Sequence, residues 1–196
     1  MSAHTEHDAH QQPGSPALPI RLARRSDADT LADLIRSAYR GEDSRAGWTS
    51  EADLVEGERI SADQVRAMIS EGGSLMLVAE QEGAIVACCQ LRNQGAGLAY
   101  FGTFAVTPRA QGAGLGRQVM AAAEHQAVTA FAATRLEMTV LAPQEALIAY
   151  YKRRGFRPTG ETRPFPADPR YSRPLRDGLY FVVLEKNLPA VRPPGG

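Results

Sequence analysis

The segment Phe104–Met120, FAVTPRAQGAGLGRQVM, has the residue spacing most suited to chemistry. An apolar stretch ends at Val106-Thr107-Pro108, and glycines at 112, 114 and 116 lead into a long amphipathic helix. The first turn of a helix presents N–H groups with no carbonyl four residues back, at the positive end of the helix dipole. Gly112, Gly114 and Gly116 keep side chains away from those donors, while Gln111 and Arg117 stand at the rim. Such a loop suits a phosphate-bearing cofactor. It is not a nucleotide P-loop, because Gly116 is followed by Arg117-Gln118 where that motif needs Lys-Ser or Lys-Thr. It also fits poorly to the dinucleotide fingerprint G-x-G-x-x-G, whose sixth position counted from Gly112 is Arg117.

A second informative stretch, RLEMTVLAPQEALIAYYKRRGFRPTGE, runs from Arg135 to Glu161 and reads as strand, short loop, helix and glycine stop. In that helix Tyr150 and Tyr151 lie about 100° apart, so at most one faces a given partner squarely. Tyr151 shares a face with Leu147. Arg153 and Arg154 sit in the last turn, where cations suit the dipole, and Gly155 reads as a left-handed stop with Phe156 folding back.

Together these segments resemble the GCN5-related N-acetyltransferases. Q-x-x-G-x-G at Gln111 to Gly116, after Val-x-Pro, resembles motif A of that family. The downstream stretch resembles motif B, with Tyr151, Gly155 and Phe156 in register for Tyr-x-x-x-Gly-Phe; Gln144 and Leu147 stand where Asn and Ala are frequent. The resemblance spans about Ile20 to Leu188. GWT-x-E-A-D at Gly47 to Asp53, PTGE-x-x-PFP at Pro158 to Pro166 and FVVLEK at Phe181 to Lys186 are similar to a bacterial subgroup without an assigned substrate.

The resemblance implies direct attack of an amine on the thioester carbonyl of acetyl-CoA, with no covalent enzyme intermediate and no metal. Backbone at Phe104, Ala105 and Val106 would pair with the pantetheine arm where two parallel strands splay, with Gln144 alongside. The loop Gln111, Gly112, Ala113, Gly114, Leu115, Gly116 and Arg117 would hold the pyrophosphate. Tyr151 would protonate or hydrogen-bond the departing thiolate, which a phenol of pKa about 10 can do for a thiol of about 8.5.

The general base is open. Leu98 to Val106 has no carboxylate, which leaves Glu137, Glu51 or a chain of waters. Trp48, Thr49, Glu51 and Asp53 form an expected acceptor loop, whose aromatic face and carboxylates suit a cationic amine. The acceptor is expected to be a small molecule or amino-acid-like primary amine. A non-catalytic acyl-CoA-binding or sensing module and a protein or peptide N-acetyltransferase are the alternatives.

The elements that must position these residues follow from periodicity. Ile20 to Ala23 reads as a strand, and Ser26 as the cap of a helix to Tyr39 with Leu31, Leu34, Ile35 and Ala38 buried. A short helix runs from Ser61 to about Ile69. Ser74–Gln81 and Ala84–Asn93 form a hairpin about Glu82-Gly83, and Gly95 and Gly97 turn the chain into Leu98–Val106. Leu115, Val119, Met120, Ala123 and Ala127 make the core stripe of the helix after the glycine loop. Final strands are expected near Thr159–Phe165 and Leu179–Glu185.

The expected fold is α/β, a single domain with a mixed, mostly antiparallel sheet of six to seven strands flanked by about four helices. Residues 1–18 are expected to be a disordered tail, 19–188 the domain and 189–196 a flexible tail. The chain has 196 residues, enough for one ordinary domain. Lys plus Arg and Asp plus Glu both count 22, so no net field draws it to nucleic acid or to an anionic membrane. The opening residues have neither a positive start nor an apolar run, and His4, His7 and His10 there supply no preformed metal site. Cys88 and Cys89 are adjacent in a strand and point to opposite faces, which predicts reduced packing residues and a cytoplasmic protein. A monomer or homodimer is expected.

Overall fold

A computed structural model describes residues 17–40, 44, 50–108, 114–166 and 172–189. Most of both expected tails, Trp48 and Thr49 of the expected acceptor loop, and Gln111, Gly112 and Ala113 of the glycine loop lie outside the described residues.

In chain order the strands are β1 (Ile20–Leu22), β2 (Val55–Glu56), β3 (Ser74–Gln81), β4 (Ala84–Gly95), β5 (Leu98–Val106), β6 (Arg135–Leu141), β7 (Arg157–Pro164), β8 (Arg173–Pro174) and β9 (Tyr180–Asn187). The helices are α1 (Ala28–Tyr39), α2 (Ala62–Ser70), α3 (Leu115–Phe131) and α4 (Glu145–Lys152). Seven strands form one sheet in the order β1-β3-β4-β5-β6-β9-β7, and β2 and β8 pair as a separate ribbon. Among the described strands, only the β5–β6 pair is parallel.

Local chemistry accounts for the boundaries. Glu82 and Gly83 are both left-handed (φ 52° and 79°), as a two-residue hairpin turn requires. Ser61 accepts the Gln64 N–H and Gln64 reaches back to the Ser61 N–H, a reciprocal cap that starts α2. The expected cap at Ser26 is corrected: Arg25–Asp27 form one 3-10 turn and α1 begins at Ala28. Asp27 fixes this entry by accepting from the Arg24 N–H at 2.7 Å and from Arg21 at 2.7 Å.

Two layers cover the sheet. On one face α3 buries Leu115, Val119, Met120, Ala123 and Ala127 against Leu77, Cys89, Leu91 and Phe101. On the other, α1 and α2 bury Leu31, Ile35, Ala38 and Val65 against Met76, Val78, Cys88 and Ala105. The adjacent cysteines thus pack in different layers as free, buried thiols. Burial pushes the Cys88 thiol up to about 12. The β2–β8 ribbon is not foreseen from sequence; two-residue strands carry no periodicity to read. No helix of the described residues is long and apolar enough to cross a membrane.

Candidate active site

The feature that opens the molecule is a defect in β5. Between Cys88 and Gln90 of β4, β5 carries one extra residue, and Thr103 within it adopts φ 46°, a strained conformation for a β-branched side chain. Parallel pairing of β5 with β6 stops at Tyr100 opposite Glu137. Beyond that pair a cavity of about 540 Å³ opens, lined by both strands, by the C-terminal end of α1, by α4 and by β7.

Several side chains fix the walls. The Tyr39 hydroxyl donates to the Phe104 carbonyl at 2.6 Å, tying α1 to the bulge. The Tyr100 ring lies over Gly102, where any Cβ would sit 2.6 Å from the ring, and the Tyr100 hydroxyl meets the Thr139 hydroxyl at 2.8 Å. That bond bridges β5 and β6 just past their last backbone pair. Phe104, Ala105 and Val106, the expected pantetheine-pairing segment, are buried directly after the bulge.

Tyr151 reaches the cavity from α4. Its ring stands edge-on to Tyr150 and Phe156, with centroids 5.4 and 5.9 Å apart. Burial raises its pKa well above that of an ordinary phenol, so the hydroxyl is a proton donor throughout the neutral range. Leu147 lines the cavity on the same helical face. Gln144, at the N-cap of α4, lines it too and donates from Nε2 to the Ser50 carbonyl at 3.2 Å.

At the glycine loop, Gly114 is the left-handed N-cap of α3 (φ 78°), and its carbonyl accepts from Arg117 and Gln118. Among the described residues, a Cβ at Gly114 would meet only Arg117 Nη2, at 3.9 Å. Gly116 is a close approach: its Cβ would sit 3.1 Å from the Tyr150 hydroxyl and 3.2 Å from the Phe104 ring. Arg154 stacks on Tyr150 at 3.3 Å, and Arg117, Arg153 and Arg154 all act electrostatically on that phenol. Arg154 Nε is buried without a hydrogen-bond partner. Among the described residues, a left-handed helix N-cap beside a phenol that Arg117, Arg153 and Arg154 act on has the donors and the positive charge that the phosphates of a coenzyme A thioester would need.

The two expected carboxylates fare differently. Glu51 lines the cavity, 8% exposed, and accepts from Arg40 Nη1 at 2.6 Å with Arg59 Nε at 3.9 Å. Glu137 is buried and both its oxygens accept from Arg163, at 2.8 and 3.0 Å; Arg163, not Glu137, forms part of the cavity wall. Asp53 does not line the cavity. Sequence reading missed Tyr39, Arg59, Arg92, Tyr100 and Arg163 as wall residues. The pair Tyr100-x-Gly102 was the available signal, since a glycine two residues on in a strand leaves room for a ring to lie along it.

Residues 30–156 match the Acetyltransferase (GNAT) family, and the chain belongs to it. It is therefore an acyltransferase.

Solved structures share the fold at low identity. Ribosomal-protein-alanine N-acetyltransferase from Brucella melitensis is 21% identical, covering 87% of this chain and 100% of its own, with a TM-score of 0.64. YncA from Salmonella typhimurium, solved with its cofactor acetyl-CoA, is 17% identical over 91% of this chain and 98% of its own, with a TM-score of 0.63. A spermidine N-acetyltransferase chimera from Vibrio cholerae and hSSAT is 16% identical over 88% and 96%, also at 0.63. No protein of curated function matches the chain.

Proposed function

We propose that the protein transfers the acetyl group of acetyl-CoA to the primary amine of a small, amino-acid-like molecule. The observation that carries this reading is the cavity between β5 and β6, which has Tyr151 on one wall and the polar side chains Glu51, Arg92 and Tyr100 on others. An acyl donor laid along Phe104–Val106, with its phosphates at Gly114–Arg117, brings its thioester to the gap. Bound there, acetyl-CoA supplies an activated acyl group and a good leaving group.

The chain's own contribution is positional. The Thr103 bulge turns β5 backbone away from the ladder, and the Tyr39 bond holds that turn. Tyr151 offers a protonated hydroxyl to the sulfur as the C–S bond breaks. The incoming ammonium must lose a proton, and Glu51 is the carboxylate on the cavity wall among the described residues. Gln144 and Leu147 bound the pantetheine side. Buried, reduced Cys88 and Cys89 suit a cytoplasmic setting.

The test is release of free CoA from acetyl-CoA on adding amines, read with a thiol reagent. Glu51 and Glu137 are both committed to arginines, so tight acetyl-CoA binding with no CoA release from small amines or peptides would contradict acetyl transfer to an amine. Release with peptides alone would move the acceptor to protein termini.

A further inference from the structure

Among the described residues, the charge on the acceptor side of the cavity is opposite to what a polyamine needs. Among the described residues, Arg59, Arg92 and Arg163 line the wall against one carboxylate, Glu51. Among the described residues, Glu51 is shared between Arg40 and Arg59, two cations to one carboxylate. Arg40 is 9% exposed, and its Nε and Nη2, like Arg59 Nε, are buried without hydrogen-bond partners. Arg163 is occupied by Glu137 and Glu161.

Arg92 differs. Its guanidinium lies over the Tyr100 ring at 5.2 Å, with no carboxylate of the described residues in ion-pair range. Arg92 and Tyr100 are direct partners across β4 and β5, and the ring is held by Gly102 beneath it and Thr139 beside it. The cation is thus pre-oriented at the cavity by a fixed aromatic face.

We infer that the acceptor carries a carboxylate as well as its amine, and that Arg92, backed by Arg59, receives that carboxylate. This rests on the transferase reading above. A guanidinium binds a carboxylate through paired, charge-assisted hydrogen bonds, whereas a second ammonium on the acceptor would meet only repulsion there. The amine end is then directed toward Glu51 and the thioester.

The experiment compares amino acids, their carboxamides and spermidine as acceptors by CoA release. In parallel, calorimetry measures N-acetyl amino acids and their amides binding to the CoA-loaded protein. Acids should exceed amides by about tenfold or more in both readouts, the scale of a charged hydrogen-bond pair. Arg92→Gln should remove that preference, and Arg92→Lys should keep part of it. Arg92 is exposed on a strand, so its variants should fold, which circular dichroism checks.

Equal handling of acids and amides, preference for spermidine, or an acid preference that survives in Arg92→Gln would overturn the inference. Selective binding of the acids without CoA release from any amine would overturn the transferase reading and leave the carboxylate site standing. Loss of both release and selective binding would overturn both.

Discussion

Tyr39 and Phe104 are 65 residues apart, and the hydroxyl of the first donates to the carbonyl of the second at 2.6 Å. Tyr39 is the last residue of α1 and Phe104 lies in the bulged part of β5, so one bond couples the acceptor-side helix to the segment expected to hold the acyl donor. Burial raises the Tyr39 pKa, which keeps this donor protonated.

Tyr39→Phe therefore keeps the ring and deprives a buried carbonyl of its donor. The expected cost is about 1–3 kcal/mol of stability, read as a lower urea midpoint at unchanged slope. The acetyl-CoA KM should rise as well, because the bulge loses its anchor. An unchanged midpoint and unchanged KM would show that the bulge is held by other contacts.

At the loop, acetyl-CoA should stabilise the fold by about 2.7 kcal/mol at a hundredfold excess over Kd, and NAD or ATP by much less. Gly114→Val should abolish that shift and also weaken the free protein, because its φ of 78° strains a β-branched residue. Gly114→Asn separates the effects: Asn tolerates the left-handed region, so loss of the ligand shift with little loss of basal Tm isolates the blocked phosphate site. Retained affinity in both variants would reduce the loop to a helix start.

Alkaline pH should destabilise the protein early. Cys88 titrates near 9.0 when unfolded and is pushed up to about 12 when folded, and Cys89 moves in the same direction. Above pH 9 the unfolded thiol releases its proton while the folded one keeps it. Stability is fully present below that pH and falls by about 1 kcal/mol per pH unit for Cys88 as pH rises toward 12, with Cys89 adding in the same direction. Cys88→Ala/Cys89→Ala should flatten the fall measured by denaturant titration at pH 8 to 10.5. An identical slope in the variant would contradict the buried-thiol account.

Much of this was legible in the chain because it is periodic or punctuated. The stripe Leu115, Val119, Met120, Ala123 and Ala127 buries as spaced, Glu82-Gly83 turns the hairpin, and Tyr151 faces the cavity while Tyr150 leans on Gly116. Ion pairing was not legible. Nothing local to Glu137 indicates that Arg163, on a strand two places away in the sheet, will take both its oxygens. The same holds for Arg40 beside Glu51 and for the charge of the acceptor wall, which depends on residues from α1, β4 and β7 meeting in space.

That pairing alters how Glu51 must be tested. Glu51→Gln leaves Arg40 buried without its partner, and loss of one side of such a pair costs about 3–5 kcal/mol. A drop in activity alone would therefore not identify a base. Arg40→Met/Glu51→Gln should recover much of the lost stability, and if turnover stays low in this folded double variant, the carboxylate serves the reaction. Recovery of turnover together with stability would make Glu51 structural.

The most direct measurement is single-turnover acetyl transfer by Tyr151→Phe, using the best acceptor and saturating acetyl-CoA. The rate should fall by about tenfold to a hundredfold, with acetyl-CoA affinity retained and no alkaline fall from this phenol in the parent, since burial keeps it protonated. A Tyr151→Phe protein that transfers at the parental rate would contradict the claim that this cavity, with Tyr151 at the sulfur, is where the acyl group changes hands.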